Sequence, residues 1–166
     1  NGGSNPTLTS EQVILYHGSG WLTERLKGLE FKIGPVSFFQ TNSYQAAALY
    51  QSVLDFAQLE GHELVYDLYT GTGTIALFLA RHARFVIGIE YVEEAVAHAR
   101  TNADINSIGN VSFFSGDMAR VLTDVFFQNH GFPGVIVTDP PRAGMHPRVV
   151  EQIMLSGADK IVYVSC

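Results

Sequence analysis

The sequence predicts an α/β protein built on a doubly wound parallel sheet. Short apolar runs of strand length alternate along the chain with segments whose apolar residues recur at helical spacing. Glycine and proline residues punctuate the boundaries between these segments. Strands that alternate with helices form a parallel sheet, because each helix carries the chain back across one face before the next strand begins.

A short β lead-in and a helix precede this alternation. β-like runs at Val13–Tyr16 and Leu29–Ile33, with two glycines between them, predict a hairpin. Apolar residues at helical spacing predict a helix from Ser43 to Leu59. We therefore divide the chain into a lead-in over residues 1–35 and a main domain over residues 36–166.

The main domain repeats the strand-helix unit. Its strands are predicted from apolar runs at Glu63–Leu68, Phe85–Ile89, Val111–Phe114, Val135–Thr138 and Ile161–Val164. The helices between them are predicted at Ile75–Ala80, from Val92 to Ala103, at Met118–Phe127 and at Pro147–Leu155. Because open sheets of this kind normally continue beyond a fifth strand, we expect the domain to be incomplete after Cys166.

The composition is that of a globular domain. The chain has 166 residues, of which 46% are hydrophobic and 16% charged, and this balance excludes the disordered and low-complexity classes. No apolar run reaches the length of a membrane span. The net charge of −6 repels a phosphate backbone, so we expect other segments to hold any nucleic acid. The single cysteine excludes an internal disulfide and a multi-cysteine metal site, and we expect no metal and a cytoplasmic location.

A glycine-rich loop joins the first strand of the main domain to its helix. Gly71 and Gly73 allow the backbone of this loop to approach a ligand closely. Residues 71–76 also satisfy the loose dinucleotide-binding pattern G-x-G-x-x-A, which is a weak signal by itself. The alternative is that both glycines only permit a tight turn.

Acidic residues lie at the ends of three successive strands, at the edge where such sheets bind ligands. Asp67 would repel a pyrophosphate but attract a sulfonium cation. Glu90 has the position from which a carboxylate accepts hydrogen bonds from ribose hydroxyls, and Asp117 is a candidate partner for an adenine amino group. Together these three carboxylates favour S-adenosylmethionine over NAD as the bound cofactor. The alternative is that each carboxylate only caps the following helix.

The last two strands lead into a second group of candidate residues. Asp139 precedes two prolines that fix the chain just beyond the fourth strand, where a target base would dock. Cys166 follows the fifth strand and is a candidate nucleophile next to Asp139. The alternatives are an ordinary Pro-Pro turn capped by Asp139 and a cysteine that acts as a small buried hydrophobe.

Four short sequence motifs can be distinguished. Three contain candidate residues described above, and the fourth is the segment 38–42. They are Phe-Phe-Gln-Thr-Asn at 38–42, Asp-Leu-Tyr-Thr-Gly-Thr-Gly at 67–73, Asp-Pro-Pro-Arg-Ala-Gly at 139–144 and Val-Tyr-Val-Ser-Cys at 162–166. In this order, and over about residues 29–166, the chain resembles the RNA uracil-5-methyltransferases. The resemblance implies a Rossmann-like S-adenosylmethionine-dependent methyltransferase fold. It implies Cys166 as the nucleophile and cofactor-binding positions at Gln40, Tyr69, Glu90 and Asp139, with Thr74, Asp117 and Gly71 of the loop also lining the pocket.

The resemblance further implies the formation of 5-methyluridine in RNA through a covalent adduct between Cys166 and uracil C6. It favours 23S ribosomal RNA over transfer RNA as the substrate. In this family an RNA-binding β-barrel, a general-base glutamate and sometimes an iron–sulfur cluster lie on other segments, so we expect these 166 residues to bind cofactor without turnover.

Two other functions stay open from the sequence. An exocyclic-amine methyltransferase uses Asp-Pro-Pro followed by an aromatic residue, whereas Arg142 occupies that position here. A non-catalytic module that binds cofactor or RNA would also suit the acidic composition. The sequence does not indicate an oligomeric state.

Overall fold

The computed structural model describes residues 15–34 and 43–165. Seven strands and six helices lie in these ranges. The strands are β1 (Leu22–Leu26), β2 (Leu29–Ile33), β3 (Leu64–Leu68), β4 (Phe85–Glu90), β5 (Val111–Ser115), β6 (Val135–Thr138) and β7 (Lys160–Tyr163). The helices are α1 (Ser43–Ala57), α2 (Thr74–Ala80), α3 (Glu93–Ile105), α4 (Met118–Val121), α5 (Asp124–His130) and α6 (Pro147–Leu155).

The main sheet has five parallel strands in the order β5-β4-β3-β6-β7. The chain starts this sheet at β3, builds outwards to β5, and then returns to the other side of β3 for β6 and β7. This order is that of the doubly wound α/β folds, which bind ligands outside the carboxyl ends of the strands where the order reverses. The predicted fold class is confirmed.

Both faces of the sheet are covered by helices. Alternate residues of each strand point to opposite faces, so Val65 joins a core with α1, α2 and α3, and Tyr66 joins a second core with α4, α5 and α6. Leu26, Leu29 and Phe31 of the β1–β2 hairpin belong to the first of these cores. The lead-in hairpin therefore packs into the main domain.

The hairpin differs from the prediction in its first strand. The structure pairs Leu22–Leu26 with Leu29–Ile33, whereas the predicted run ends at Leu15 and Tyr16, which are exposed and lie in no strand. Lys27 and Gly28 form the turn with φ of 50° and 79°. A two-residue turn with positive φ at both positions matches the twist of a hairpin. The glycine at position 28, rather than the two earlier glycines, therefore marks the turn.

The predicted helix over Met118–Phe127 is also wrong, because it is two helices. Leu122 leaves the helical conformation with ψ of 94°, and its side chain is fully buried. Thr123 then begins a new helix, since its Oγ1 accepts a hydrogen bond from the N–H of Phe126 at 3.2 Å. The break lets Leu122 and Phe127 both enter the core under the sheet.

Within the part of the chain that the structure describes, no helix has the length and apolar content needed to cross a bilayer. Residues 15–34 and 43–165 also bring together no group of three or more histidine, cysteine, aspartate or glutamate side chains able to hold a metal ion.

Candidate active site

The candidate site lies at the carboxyl edge of the sheet, where loops follow the parallel strands β3, β4, β5 and β6. Tyr69 follows β3, Glu90 ends β4, Asp117 follows β5 and Asp139 follows β6. Parallel pairing brings all four to one edge, as predicted. Two predicted residues, Gln40 and Cys166, lie outside the described residues.

The glycine loop adopts a conformation that depends on its glycines. Gly71 and Gly73 have φ of 56° and 81°, in the left-handed region that favours glycine. A Cβ at Gly73 would lie 2.9 Å from the Phe113 ring and 3.0 Å from Ala99, whereas a Cβ at Gly71 would meet no atom within 4 Å. Gly73 is therefore required for packing, and at Gly71 the loop backbone is open, with no neighbouring atom in the way of a Cβ.

Asp67 holds this loop from within the sheet. Its side chain accepts a hydrogen bond from the Thr70 hydroxyl at 2.5 Å. Burial raises its pKa to about 7, and the nearby carboxylates of Asp139 and Glu90 act in the same direction. Only 1% of Asp67 is exposed. This corrects the expectation that the Asp67 carboxylate faces the ligand directly.

Glu90 connects the end of β4 to the glycine loop. Its Oε2 accepts a hydrogen bond from the N–H of Gly71 at 3.0 Å, and its Oε1 accepts one from the N–H of Val92 at 3.0 Å. A carboxylate has about four acceptor positions. Glu90 can therefore hold the loop and still accept hydrogen bonds from a ligand with two hydroxyls.

Asp117 caps the helix that follows β5. Its Oδ1 accepts a hydrogen bond from the N–H of Ala119 at 3.0 Å, and its Oδ2 lies 3.6 Å from Arg120 Nε. The structure thus bears out the capping role considered from the sequence. The side chain of Asp117 is 47% exposed, so it also has surface available to a ligand.

Tyr69 follows β3, the central strand of the sheet. It has φ of 63°, a backbone conformation that is uncommon for a tyrosine. Burial raises the pKa of its phenol, and the charges of Asp117, Tyr163 and Glu90 act in the same direction. Tyr163 was not among the predicted site residues. Tyr163 belongs to the motif Val-Tyr-Val-Ser-Cys at 162–166, and this is the sequence feature from which it could have been predicted.

A second tyrosine reaches the site from α1. The Tyr50 hydroxyl donates a hydrogen bond to Thr74 Oγ1 at 3.1 Å. Burial raises the pKa of this phenol, and the carboxylates of Asp67 and Asp139 contribute in the same direction. Sequence reasoning missed Tyr50 because a buried aromatic residue at helical spacing is typical of a core position. Thr74, a predicted site residue, is thus already hydrogen-bonded within the protein.

Asp139 completes the acidic edge. Its backbone N–H donates to the carbonyl of Leu68 at 3.3 Å, which fixes the start of the Pro-Pro loop against β3. Partial burial raises the pKa of its carboxyl group. The edge thus offers Glu90, Asp117 and Asp139 as acceptors and an open backbone at Gly71. This set suits a ligand with hydroxyl groups, amino groups and positive charge better than a pyrophosphate.

The strand order and this acidic edge define a Rossmann-like fold of the S-adenosylmethionine-dependent methyltransferases. A solved structure of the same fold is the tRNA (uracil-54, C5)-methyltransferase of Pyrococcus abyssi in complex with S-adenosyl-L-homocysteine. The TM-score is 0.77 and the identity 34%, over 95% of this chain and 39% of that one.

The family model for tRNA (uracil-5-)-methyltransferase matches residues 20–166. The chain therefore belongs to this family, as its motifs indicated. An uncharacterized RNA methyltransferase of Porphyromonas gingivalis is 55% identical over 98% of this chain and 35% of its own length. Another, of Bacteroides thetaiotaomicron, is 54% identical over 100% of this chain and 37% of its own length. The chain thus spans about a third of the length of these relatives.

Proposed function

We propose that this chain carries the cofactor site and the nucleophile of an S-adenosylmethionine-dependent enzyme that methylates uracil C5 in RNA. The observation that carries the proposal is the parallel pairing of β6 with β7. The N–H of Val164 donates to the carbonyl of Thr138 at 2.9 Å. The residues that precede Cys166 and Asp139 are therefore neighbours at the edge that also holds the glycine loop.

We assign the cofactor to this acidic edge. S-adenosylmethionine supplies an electrophilic methyl group when it is bound. In the proposal Glu90 accepts the ribose hydroxyls, Asp117 accepts from the adenine amino group, and the open backbone at Gly71 allows close approach. Four further residues complete the proposed pocket: Gln40, Tyr69, Thr74 and Asp139.

The proposed role of Cys166 follows from the chemistry of uracil. C5 is a poor nucleophile, and addition of a thiolate to C6 moves the C5–C6 electron pair toward O4, which makes C5 electron-rich. C5 would then form its bond to the methyl carbon while the bond from that carbon to the cofactor's sulfonium sulfur breaks, and the sulfur would keep that electron pair. A base removes the C5 proton, the C5–C6 double bond returns, and the C6–S bond breaks to release the thiolate of Cys166.

The target uridine must be accessible for this addition. A base within a stacked helix hides C5 and C6, so we propose that the uridine is unpaired or flipped out of its stack, beside the Asp139 loop. We propose 23S ribosomal RNA as the substrate, with transfer RNA as the alternative because the Pyrococcus abyssi relative is a tRNA enzyme. Mapping 5-methyluridine in cells with and without the gene distinguishes the two.

Substitution of Cys166 tests the proposed reaction. In the native protein, at the length in which the cell makes it, we expect Cys166→Ala to abolish methylation because no thiolate adds to C6. We expect S-adenosylhomocysteine affinity, measured by calorimetry, to stay within about twofold. Ser165→Ala, one residue earlier, is the matched control and retains turnover.

An RNA that contains 5-fluorouridine gives a direct readout of the adduct. Fluorine at C5 blocks the proton removal that precedes release, so we expect a covalent complex that survives denaturing electrophoresis with the unsubstituted protein and none with Cys166→Ala. An exocyclic-amine methyltransferase or a non-catalytic module forms no such complex. Methylation without an adduct would contradict the proposed mechanism.

A further inference from the structure

Two asparagines of α3 hold the backbone of β2. Asn102 Oδ1 accepts the N–H of Lys32 at 2.7 Å, and its Nδ2 donates to the Lys32 carbonyl at 3.3 Å. Asn106 Oδ1 accepts the N–H of Glu30 at 2.8 Å, and its Nδ2 donates to the Glu30 carbonyl at 2.6 Å. Asn102 and Asn106 are four residues apart in the helix, a rise of about 6 Å. Glu30 and Lys32 are two residues apart in the strand, a rise of roughly 6.6 Å, so the two spacings match. The two amides therefore bind the strand edge much as a neighbouring strand would.

Asn102 makes one contact that Asn106 does not make. Its Nδ2 also donates to the carbonyl of Thr72, in the middle of the glycine loop, at 3.1 Å. The corresponding second bond of Asn106 Nδ2 goes to the carbonyl of Asn102 at 2.7 Å, within the same helix. Asn102 thus connects the hairpin to the glycine loop, whereas Asn106 connects the hairpin only to α3.

The orientation of the Asn102 amide is fixed by its partners. An N–H of Lys32 requires the amide oxygen, and two carbonyls, of Lys32 and Thr72, require the amide nitrogen. Asn102 is fully buried, so no water replaces a lost bond without a change in packing. Rotation of the amide by 180° would break all three contacts.

The hydrogen bond from Asn102 restrains the glycine loop at Thr72. Gly71 and Gly73 give the loop backbone freedom that other residues lack, and Thr72 lies between them. The Thr72 hydroxyl is buried and has no hydrogen-bond partner among the described residues. The Asn102 amide therefore supplies the side-chain hydrogen bond that holds the Thr72 carbonyl in place.

We propose that Asn102 is a positioning residue for the cofactor site, through which the β1–β2 hairpin holds the glycine loop in its binding conformation. A loop that is held in place before binding loses less conformational entropy when the ligand arrives. Cofactor affinity then depends on a contact that itself touches no ligand. The inference rests on the proposed assignment of the cofactor to this loop.

A pair of matched variants tests the proposal in the native protein. We expect Asn102→Ala to raise the calorimetric Kd for S-adenosylhomocysteine about tenfold, and Asn106→Ala to change it by less than twofold. Both variants lose their bonds to β2, so both are expected to lower the urea midpoint to a similar extent. Equal changes in Kd for the two variants, or no change for Asn102→Ala, would overturn the proposal.

Hydrogen exchange of the unsubstituted protein gives a second test that needs no folded Asn102 variant. Because coupling between two sites is reciprocal, S-adenosylhomocysteine is expected to slow exchange at the β2 amides several-fold as well as in the loop. The α5 segment, on the other face of the sheet, is the control and stays unchanged. Protection of the loop without protection of β2 would overturn the proposal.

No RNA enters either measurement, so their outcome is separate from the uracil chemistry. A protein that binds S-adenosylhomocysteine but forms no adduct with 5-fluorouridine RNA contradicts the proposed reaction and leaves the role of Asn102 standing. A protein that fails to bind S-adenosylhomocysteine overturns both.

Discussion

Asp67 lies near the end of β3 and Asp139 directly follows the adjacent strand β6, and burial raises the pKa of both carboxyl groups. Asp67 is the more buried of the two and accepts a hydrogen bond from the Thr70 hydroxyl. An ionised carboxylate in this position keeps that hydrogen bond but loses its hydration and is repelled by the carboxylate of Asp139. The loop is therefore held by a group whose protonation state changes near neutral pH.

The raised pKa of Asp67 predicts a pH-dependent stability. The unfolded chain loses this proton near its ordinary pKa of 3.8, and the folded protein loses it near 7. Between these values the folded state binds the extra proton, so the free energy of unfolding falls as pH rises. Asp67→Asn removes this contribution. We expect the unfolding free energy of the unsubstituted protein to decrease by about 3 kcal/mol relative to Asp67→Asn between pH 5 and 8.

Urea unfolding at several pH values measures this difference. Asp104→Asn, at an exposed position of α3, is the control and is expected to follow the unsubstituted protein. Burial also raises the pKa of Asp139, so the unfolding free energy of Asp67→Asn keeps some pH dependence. Parallel curves for the unsubstituted protein and Asp67→Asn would contradict the prediction.

At the scale of elements, the break between α4 and α5 shows that the N-cap preference of one residue outweighs an apolar periodicity that favours a single helix. The apolar residues from Met118 to Phe127 are compatible with one helix, but Thr123 is a good helix N-cap and a poor interior residue. Its hydroxyl binds the N–H of Phe126. Once Thr123 begins a helix, the preceding Leu122 is extended and points into the core.

The capping role of Thr123 predicts a modest and specific loss of stability. Thr123→Ala leaves the Phe126 N–H without its side-chain acceptor, and we expect a loss of about 1 kcal/mol in the free energy of unfolding. Thr123→Ser keeps the hydroxyl and should lose less than half of that amount. Chemical denaturation monitored by circular dichroism measures both. Equal losses for the two variants would show that the methyl group, not the cap, matters.

At the scale of the whole molecule, the hairpin and the five-stranded sheet share one buried cluster. Phe31 of β2 is 1% exposed and lies in the same core as α1, α2 and α3. The bonds from α3 to β2 add a polar contact between the two. Elements that share a core unfold together, so the division of the chain at residue 35 does not predict a separate unfolding unit.

The single tryptophan allows this prediction to be tested. Trp21 immediately precedes β1, with the Lys32 ammonium 4.9 Å from its ring, so its fluorescence reports on the hairpin. We expect the urea transition by fluorescence to coincide with that by far-UV circular dichroism. Phe31→Ala should lower both midpoints together, with a loss of about 3–5 kcal/mol. Leu22→Ala, at a position 73% exposed, should change little. A fluorescence transition at lower urea would contradict the shared core.

The order of elements and the edge that carries the site followed from local patterns. Strand and helix periodicities each depend on nearby residues, and parallel pairing forces the carboxyl ends of all five strands to one edge. The location of Glu90, Asp117 and Asp139 at this edge was therefore predicted from their positions alone. The motifs around Tyr69 and Asp139 indicated the family that the comparison then showed.

The sequence by itself thus determined the fold class, the family and the set of residues at one edge of the sheet. The tertiary structure decided which side chains face inward and what they bind: Asp67 is buried under the loop, Tyr50 reaches Thr74, and Asn102 joins Lys32 to Thr72. Periodicity specifies the face on which a residue lies, but not its partner. Those partners lie between 24 and 70 residues apart for Tyr50 and Asn102, and only the packing of helices on the sheet brings them together.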